Sequence, residues 1–156
     1  MEQKLKKHII KTEKPVQLII EDDNEIYENN NLTIVETFVG AGGAHLGFQK
    51  AGFKSLLVND IDKDTIDTLL KNKVINDKEY LLCQIEDITE EVIKTKIGNK
   101  KVDVLFGGIV CKGFSLAGVR NPFDPRNYLY KHQLRLVNIL KPKVSVIENV
   151  TAIKNM

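Results

Sequence analysis

The sequence predicts one α/β domain with a mainly parallel sheet of about five strands and flanking helices. From residue 32 onward, apolar runs of strand length alternate with amphipathic stretches of helical period, and polar, Gly or Pro residues separate them. The chain has 156 residues, 42% hydrophobic and 28% charged, which suits a single core and excludes disorder of the whole. No internal repeat or low-complexity tract competes with this reading.

Residues 1–31 stand apart as an N-terminal extension. A basic start, an acidic run (Glu21, Asp22, Asp23, Glu25, Glu28) and the triplet Asn29, Asn30, Asn31 predict a partly disordered appendage, with 16–20 as a short strand at most. The domain proper takes 32–156. Its first strand is 33–38, followed by a helix that turns Ala44, Phe48 and Ala51 inward and stops at Gly52. The second strand, 55–59, leads through Asp62, a good N-cap, into a helix with Ile66, Leu69, Leu70 and Val74 inward. The third strand is 80–84, with Cys83 inside it as an inert buried thiol, and Val92, Ile93 and Ile97 mark a helix ended by Gly98. The fourth strand, 102–107, opens into a long loop, 108–126. A helix from about Asn127, with Leu129, Leu136, Val137 and Leu140 inward, ends at Lys141 and Pro142 before the fifth strand, 144–148.

Several function classes drop out early. Lys+Arg 23 against Asp+Glu 21 leaves a net charge of +2, too small a surplus to predict a nucleic-acid partner without a clustered basic face. Two cysteines, Cys83 and Cys111, cannot make a disulfide scaffold, and no metal-ligand spacing occurs. The N-terminus lacks a secretory pattern and no apolar stretch approaches the roughly 18 residues of a membrane span. The expectation is a soluble cytoplasmic protein with no membrane partner.

The residues that can do chemistry follow the strands. The first βα turn reads Phe38-Val39-Gly40-Ala41-Gly42-Gly43, and glycines there let the backbone turn tightly against a nucleotide-like ligand. It is not a dinucleotide fingerprint, because His45 stands at the third glycine of G-x-G-x-x-G, and no Gly-Lys-Ser/Thr follows to make a P-loop. About twenty residues on, Asn59-Asp60-Ile61-Asp62 closes the second strand, where a carboxylate can accept both hydrogen bonds of a ribose diol. The pair points to an adenosine bound without a pyrophosphate. Asp60 and Asp62 have a plainer alternative as caps of the next helix, and so does Asp87, which follows the third strand ahead of Thr89.

Beyond the fourth strand, Gly107-Gly108-Ile109-Val110-Cys111-Lys112-Gly113-Phe114-Ser115 places a cysteine in a Gly-rich loop beside a lysine. Positive charge and backbone N–H groups stabilise a thiolate there, so Cys111 reads as a nucleophile. The fifth strand delivers Glu148-Asn149-Val150 to the same edge. Thiol, carboxylate and cofactor turn thus converge where open α/β sheets bind ligands.

These motifs resemble the cytosine-5 methyltransferase family. Residues 36–48 compare with D-L-F-x-G-x-G-G-x-x-x-G-F, 107–115 with G-G-x-P-C-Q-x-F-S, 124–129 with D-P-R-N-x-L, and 148–150 with E-N-V, in the family's order. The resemblance implies a Rossmann-like S-adenosylmethionine-dependent methyltransferase fold, present in part, acting on cytosine in duplex DNA within a restriction-modification type of system. It implies that Cys111 adds to C6 of a flipped cytosine while Glu148 holds or protonates N3. Phe38 would pack on S-adenosylmethionine, Gly40, Ala41 and Gly43 admit it, Asp60 hold the ribose, and Asp87 and Ile88 meet the adenine. Ile61, Gly108 and Leu129 complete the implied cofactor contacts. Ser115, Arg120 and Arg126 would lie near the nucleic acid, although each arginine alone also reads as an ordinary solvated side chain.

Two positions depart from the pattern beside the nucleophile: Val110 stands for the family's proline and Lys112 for its glutamine. Val110 fixes the backbone less firmly, and Lys112 either stabilises the thiolate or meets phosphate. The family's recognition region and later motifs have no counterpart here, which leaves the fifth strand with an open edge. The chain is then a fragment, or a second polypeptide completes it. Methylation of cytosine in transfer RNA, and an inactive remnant that only binds cofactor or nucleic acid, are the two alternative functions.

Overall fold

The computed structural model describes residues 30–110 and 124–151. Five strands, β1 (Thr33–Thr37), β2 (Lys54–Asp60), β3 (Tyr80–Leu82), β4 (Val104–Gly108) and β5 (Val144–Glu148), form one sheet in the order β3-β2-β1-β4-β5. All four pairings are parallel. The helices are α1 (Gly43–Lys50), α2 (Lys63–Lys71), α3 (Glu90–Ile97) and α4 (Leu129–Leu140), with 3-10 turns at Ile85–Asp87 and Pro125–Tyr128. From β1 the strands step outward through β2 to β3, then restart on the other side with β4 and β5. The reversal between β1 and β4 opens a crevice at the carboxyl ends of these two strands, the usual ligand position in such sheets.

Two apolar layers hold the helices to the sheet. Val35, Leu57 and Leu105 on the strands meet Ile93 and Ile97 of α3 and Leu136 of α4, all nearly or fully buried. A second layer joins Val58 of β2 to Ile66 and Leu69 of α2, with Val39 and Ile75. The αβ pattern therefore follows from strand residues that serve both faces of the sheet while α2, α3 and α4 each turn apolar side chains inward. Helix ends match their sequence signals. Asp62 accepts from the backbone N–H groups of Asp64 and Thr65, Thr89 accepts from Val92, and Gly98 closes α3 with φ 62°.

Several boundaries differ from expectation. The third strand ends at Leu82 rather than at 84. The Asn59 side-chain amide donates to the carbonyls of Leu81 (3.1 Å) and Cys83 (2.9 Å), drawing the chain off the ladder and into the 3-10 turn. Cys83 is consequently half-buried beyond the strand, not enclosed within it. In α1 the inward phase is shifted by one residue: His45 is buried, Phe48 half-buried and Ala44 exposed. The cause lies underneath, where the Glu36 carboxylate of β1 pairs with His45 Nδ1 at 2.5 Å. The predicted fourth helix begins as a 3-10 turn, with α4 proper starting at Leu129.

Candidate cofactor pocket and active-site edge

A cavity of about 510 Å³ occupies the crevice, within the range of small-molecule sites. One wall is Phe38, Gly40, Asn59, Asp60 and Ile61, from the turns after β1 and β2. The next is Cys83, Gln84, Ile85 and Glu86, and the far side is Gly108, Val110, Pro125, Arg126 and Leu129.

The glycine turn is built against β2. Phe38 and Gly40 both have φ 54°, and Gly42 has φ 85°. At Gly42 a side chain is excluded twice, by that left-handed backbone and because its Cβ would run into Leu69 of α2. The turn is tied down by the N–H of Gly40, which donates to Asp60 Oδ2 at 2.9 Å, and by the N–H of Val39, which donates to the Asn59 carbonyl at 3.0 Å. The other Asp60 oxygen accepts from the Asp62 N–H at 3.0 Å. Asp60 is therefore a cross-brace between two loops, while Asp62 does the capping. Each carboxylate oxygen accepts one N–H and keeps a further lone pair for the cavity.

At the β4 and β5 ends, the Asn149 side-chain amide donates to the Ile109 carbonyl at 3.1 Å, fixing the chain two residues before Cys111. A Glu148 carboxylate oxygen lies 3.9 Å from where a Cβ of Gly108 would stand. Gly107 is required by its neighbour: a Cβ there would come within 2.8 Å of the fully buried Gln133 amide, whose oxygen accepts from Thr37 Oγ1 at 2.7 Å. The Arg126 guanidinium grips Asp124 through Nε and Nη2, and holds that carboxyl down at about 2. Burial pushes the Cys83 thiol up, with the Asp87 carboxylate adding to it.

Phe38, Gly40, Asp60, Ile61, Gly108 and Leu129 all line this one cavity. Ala41 and Gly43 are exposed next to the turn and are not wall residues. Ile88 is 1% exposed in the core, and Asp87 is exposed away from the wall. The 3-10 turn instead puts Gln84, Ile85 and Glu86 on the cavity wall. Arg126 stands on the cavity rim, paired with Asp124. Cys111, Lys112, Ser115 and Arg120 lie outside the described residues.

Sequence reasoning missed Asn59, Gln133, Arg135 and Asn149 as bracing side chains. Gln133 carried a signal, a polar residue four positions after Leu129 on an apolar helical stripe. The others are polar residues whose partners are distant in sequence. Among the described residues no group of His, Cys, Asp and Glu could hold a metal ion, and no helix is long and apolar enough to cross a membrane.

Comparison with known proteins decides the family, since a family model for C-5 cytosine-specific DNA methylase matches residues 32–156. The chain belongs to that family. Among relatives, the Type II methyltransferase M1.HphI of Haemophilus parahaemolyticus is 40% identical over 123 residues, covering 77% of this chain and 32% of the relative. M.Eco47II of Escherichia coli is 40% identical over 135 residues, covering 86% of this chain and 30% of that protein. M.AquIA of Picosynechococcus is 36% identical over 125 residues, 78% of this chain and 50% of its own length. A solved prophage-encoded protein of E. coli, assigned as a DNA modification methyltransferase, superposes with TM-score 0.63 at 30% identity, over 80% of this chain and 36% of its own. The chain thus spans from about a third to a half of the length of these family members.

The lining of this cavity suits the chemistry of S-adenosylmethionine, with apolar wall beside carboxylate acceptors. Phe38, Ile61, Ile85 and Leu129 offer apolar wall to a purine, and Asp60 keeps free lone pairs for hydroxyl donors. Ile61 is 65% exposed, an apolar side chain on the cavity wall that an adenosine would cover.

Proposed function

We propose that this chain is the catalytic and cofactor-binding portion of a DNA cytosine-5 methyltransferase of restriction-modification type, using S-adenosylmethionine. The observation that carries the reading is a single cavity bounded at one end by Asp60 and the glycine turn and at the other by Gly108 and Val110, the residue before Cys111. Phe38, Gly40 and Asp60 would hold the cofactor, and Ile61, Ile85 and Leu129 would shield its adenosine from water. Bound there, S-adenosylmethionine supplies the methyl group that cytosine C5 accepts.

The protein's own residues prepare C5 to accept it. The base must leave the duplex stack, because C6 is otherwise out of reach. The Cys111 thiolate then adds to C6, and the pair of electrons displaced from the 5,6 double bond makes C5 nucleophilic. Glu148, beside Gly108 at the end of β5, donates a proton or hydrogen bond to N3 as the ring accepts charge. After methylation, loss of the C5 proton restores the double bond and expels the thiolate. Asn149 sets where the loop bearing Cys111 leaves the sheet, which matters because a nucleophile misplaced by about 1 Å costs about a hundredfold in rate.

The reading includes a further polypeptide segment that pairs with β5. Val144, Val146 and Ile147 are exposed on an edge strand, apolar on both of its faces, the pattern of a strand covered on both sides. It also places the protein in the cytoplasm, where cofactor and DNA are both present.

The experiment supplies the chain together with the remainder of a family enzyme and offers duplex DNA or tRNA containing 5-fluorocytosine. Fluorine cannot leave as a proton does, so a denaturant-stable adduct should form on DNA with wild-type protein and vanish with Cys111→Ser. An adduct that survives Cys111→Ser, or that forms on tRNA alone, overturns the reading.

A further inference from the structure

Arg135, on α4, makes an unusual set of contacts. Its Nη1 donates to the Ile88 carbonyl at 2.7 Å, and its Nη2 to the Ile85 carbonyl at 2.7 Å, with the Glu86 carbonyl at 3.4 Å. All three carbonyls belong to the one-turn segment at Ile85–Asp87 and the residue after it, where Ile85 and Glu86 are cavity wall. So short a turn holds itself weakly: its internal bonds are Asp87 N–H to the Gln84 carbonyl (3.1 Å), Ile88 N–H to the Ile85 carbonyl (3.3 Å) and Thr89 N–H to the Asp87 carbonyl (3.0 Å). Arg135 adds a second donor to the Ile85 carbonyl and reaches the carbonyls of Glu86 and Ile88 besides. A guanidinium meets them with several charge-assisted donors in a fixed plane, a fit that the single ammonium of a lysine cannot reproduce. The helix that carries Arg135 is itself anchored, with Leu136 buried in the core and Leu129 in the opposite cavity wall.

We infer that Arg135 is a positioning residue that sets the cavity at its adenosine end, by bolting the 85–88 turn to α4. The inference rests on the reading of this cavity as the cofactor site. Arg135 touches no ligand itself; it determines where Ile85 and Glu86 stand relative to Leu129. With the guanidinium gone, the turn keeps its own three backbone bonds and the core packing of Ile85 and Ile88, but the carbonyls of Ile85, Glu86 and Ile88 lose their common anchor and the segment opens more readily than the strands.

The test compares the full chain with Arg135→Lys and Arg135→Met, and with Lys143→Met as a control. Lys143 pairs with Asp103 at 2.6 Å, near the starts of β1 and β5, so its loss removes a charge-assisted bond at the opposite edge of the sheet. Amide hydrogen exchange without ligand should rise about tenfold or more across 84–89 in both Arg135 variants and stay unchanged in the strands. Titration with S-adenosylhomocysteine and with 5′-methylthioadenosine should show a dissociation constant raised about tenfold, by the same factor for both, since the loss lies in the adenosine they share. Wild-type exchange at 84–89 in the variants, an increase spread over the whole sheet, or an affinity loss matched by Lys143→Met overturns the inference. Unchanged affinity despite a loosened turn does so too. If the folded wild-type chain binds neither ligand, the cofactor reading falls, and the exchange arm still decides whether Arg135 fixes the turn. Arg135→Lys keeps the charge and the helix, so the comparison survives a failure of Arg135→Met to fold.

Discussion

Asp60 shows how one side chain serves both structure and chemistry. Its two oxygens accept the N–H groups of Gly40 and Asp62, so it sets the glycine turn before any ligand arrives. Asp60→Ala should raise the S-adenosylhomocysteine dissociation constant by about ten- to a hundredfold, the cost of losing charged acceptors. Asp60→Asn, which keeps one acceptor oxygen, should fall between; equal affinity of wild type and Asp60→Ala in calorimetry would remove Asp60 from the site. At the other end of the sheet, Lys143 and both donors of Thr33 hold the Asp103 carboxyl at about 2, well below the usual carboxylate range. A carboxyl lowered in the folded state stabilises the fold fully above about pH 4, and that contribution is lost as pH falls toward 2. Asp103→Asn should therefore melt a few degrees below wild type at neutral pH. The gap should close between about pH 4 and pH 2, and a gap that is constant over this range refutes the assignment.

At the level of elements, the β1–α1 turn works as a unit braced from below and from the side. Glu36 reaches up to His45, Asp60 holds Gly40, and Leu69 of α2 closes against Gly42. Gly42→Ala should cost about 2 kcal/mol or more, because positive φ and a collision with Leu69 act together. Gly43→Ala is its control, since nothing lies within 4 Å of a Cβ there, and chemical denaturation should leave it near wild type. Equal stability of the two variants would show that the turn relaxes freely. The 3-10 turn after β3 is the complementary case, a short element with Ile85 and Ile88 in the core and its backbone braced by side chains from elsewhere, Asn59 before it and Arg135 along it.

For the whole molecule, the exposed β5 is the feature with the largest consequence. All five of its residues are exposed, and Val144 and Val146 share one face while Ile147 lies on the other. Among the described residues β5 has no outer neighbour, and an edge with apolar side chains on both faces templates further strand pairing. The chain by itself should self-associate with rising concentration, and Val146→Lys should suppress this in sedimentation velocity without changing its circular dichroism. A wild-type chain that stays monomeric across the same concentrations would show that the edge is protected.

What could be read from the sequence was whatever depends on neighbours along the chain. Strand runs, helix stripes, the Asp62 cap and the Gly98 stop are local, and the motif order 36–48, 107–115, 124–129, 148–150 carried the resemblance to the family; that Thr89 rather than Asp87 caps the third helix came from the structure. The glycine turn and Asp60 stood out because they lie at the carboxyl ends of strands, while Ile61, Gly108 and Leu129 were named through the family resemblance; Phe38, Gly40 and these four line the one cavity. The tertiary structure alone decided the rest. Ile88 faces the core and Glu86 the cavity because Asn59, more than twenty residues earlier, ends β3 two residues early. His45 turns inward because of a carboxylate on a different element, Gln133 accepts from the Thr37 hydroxyl 96 residues away, and Arg135 donates to turn carbonyls 47 or more residues away. Buried polar groups must find partners wherever the fold brings them, and periodicity along one segment carries no record of who those partners are.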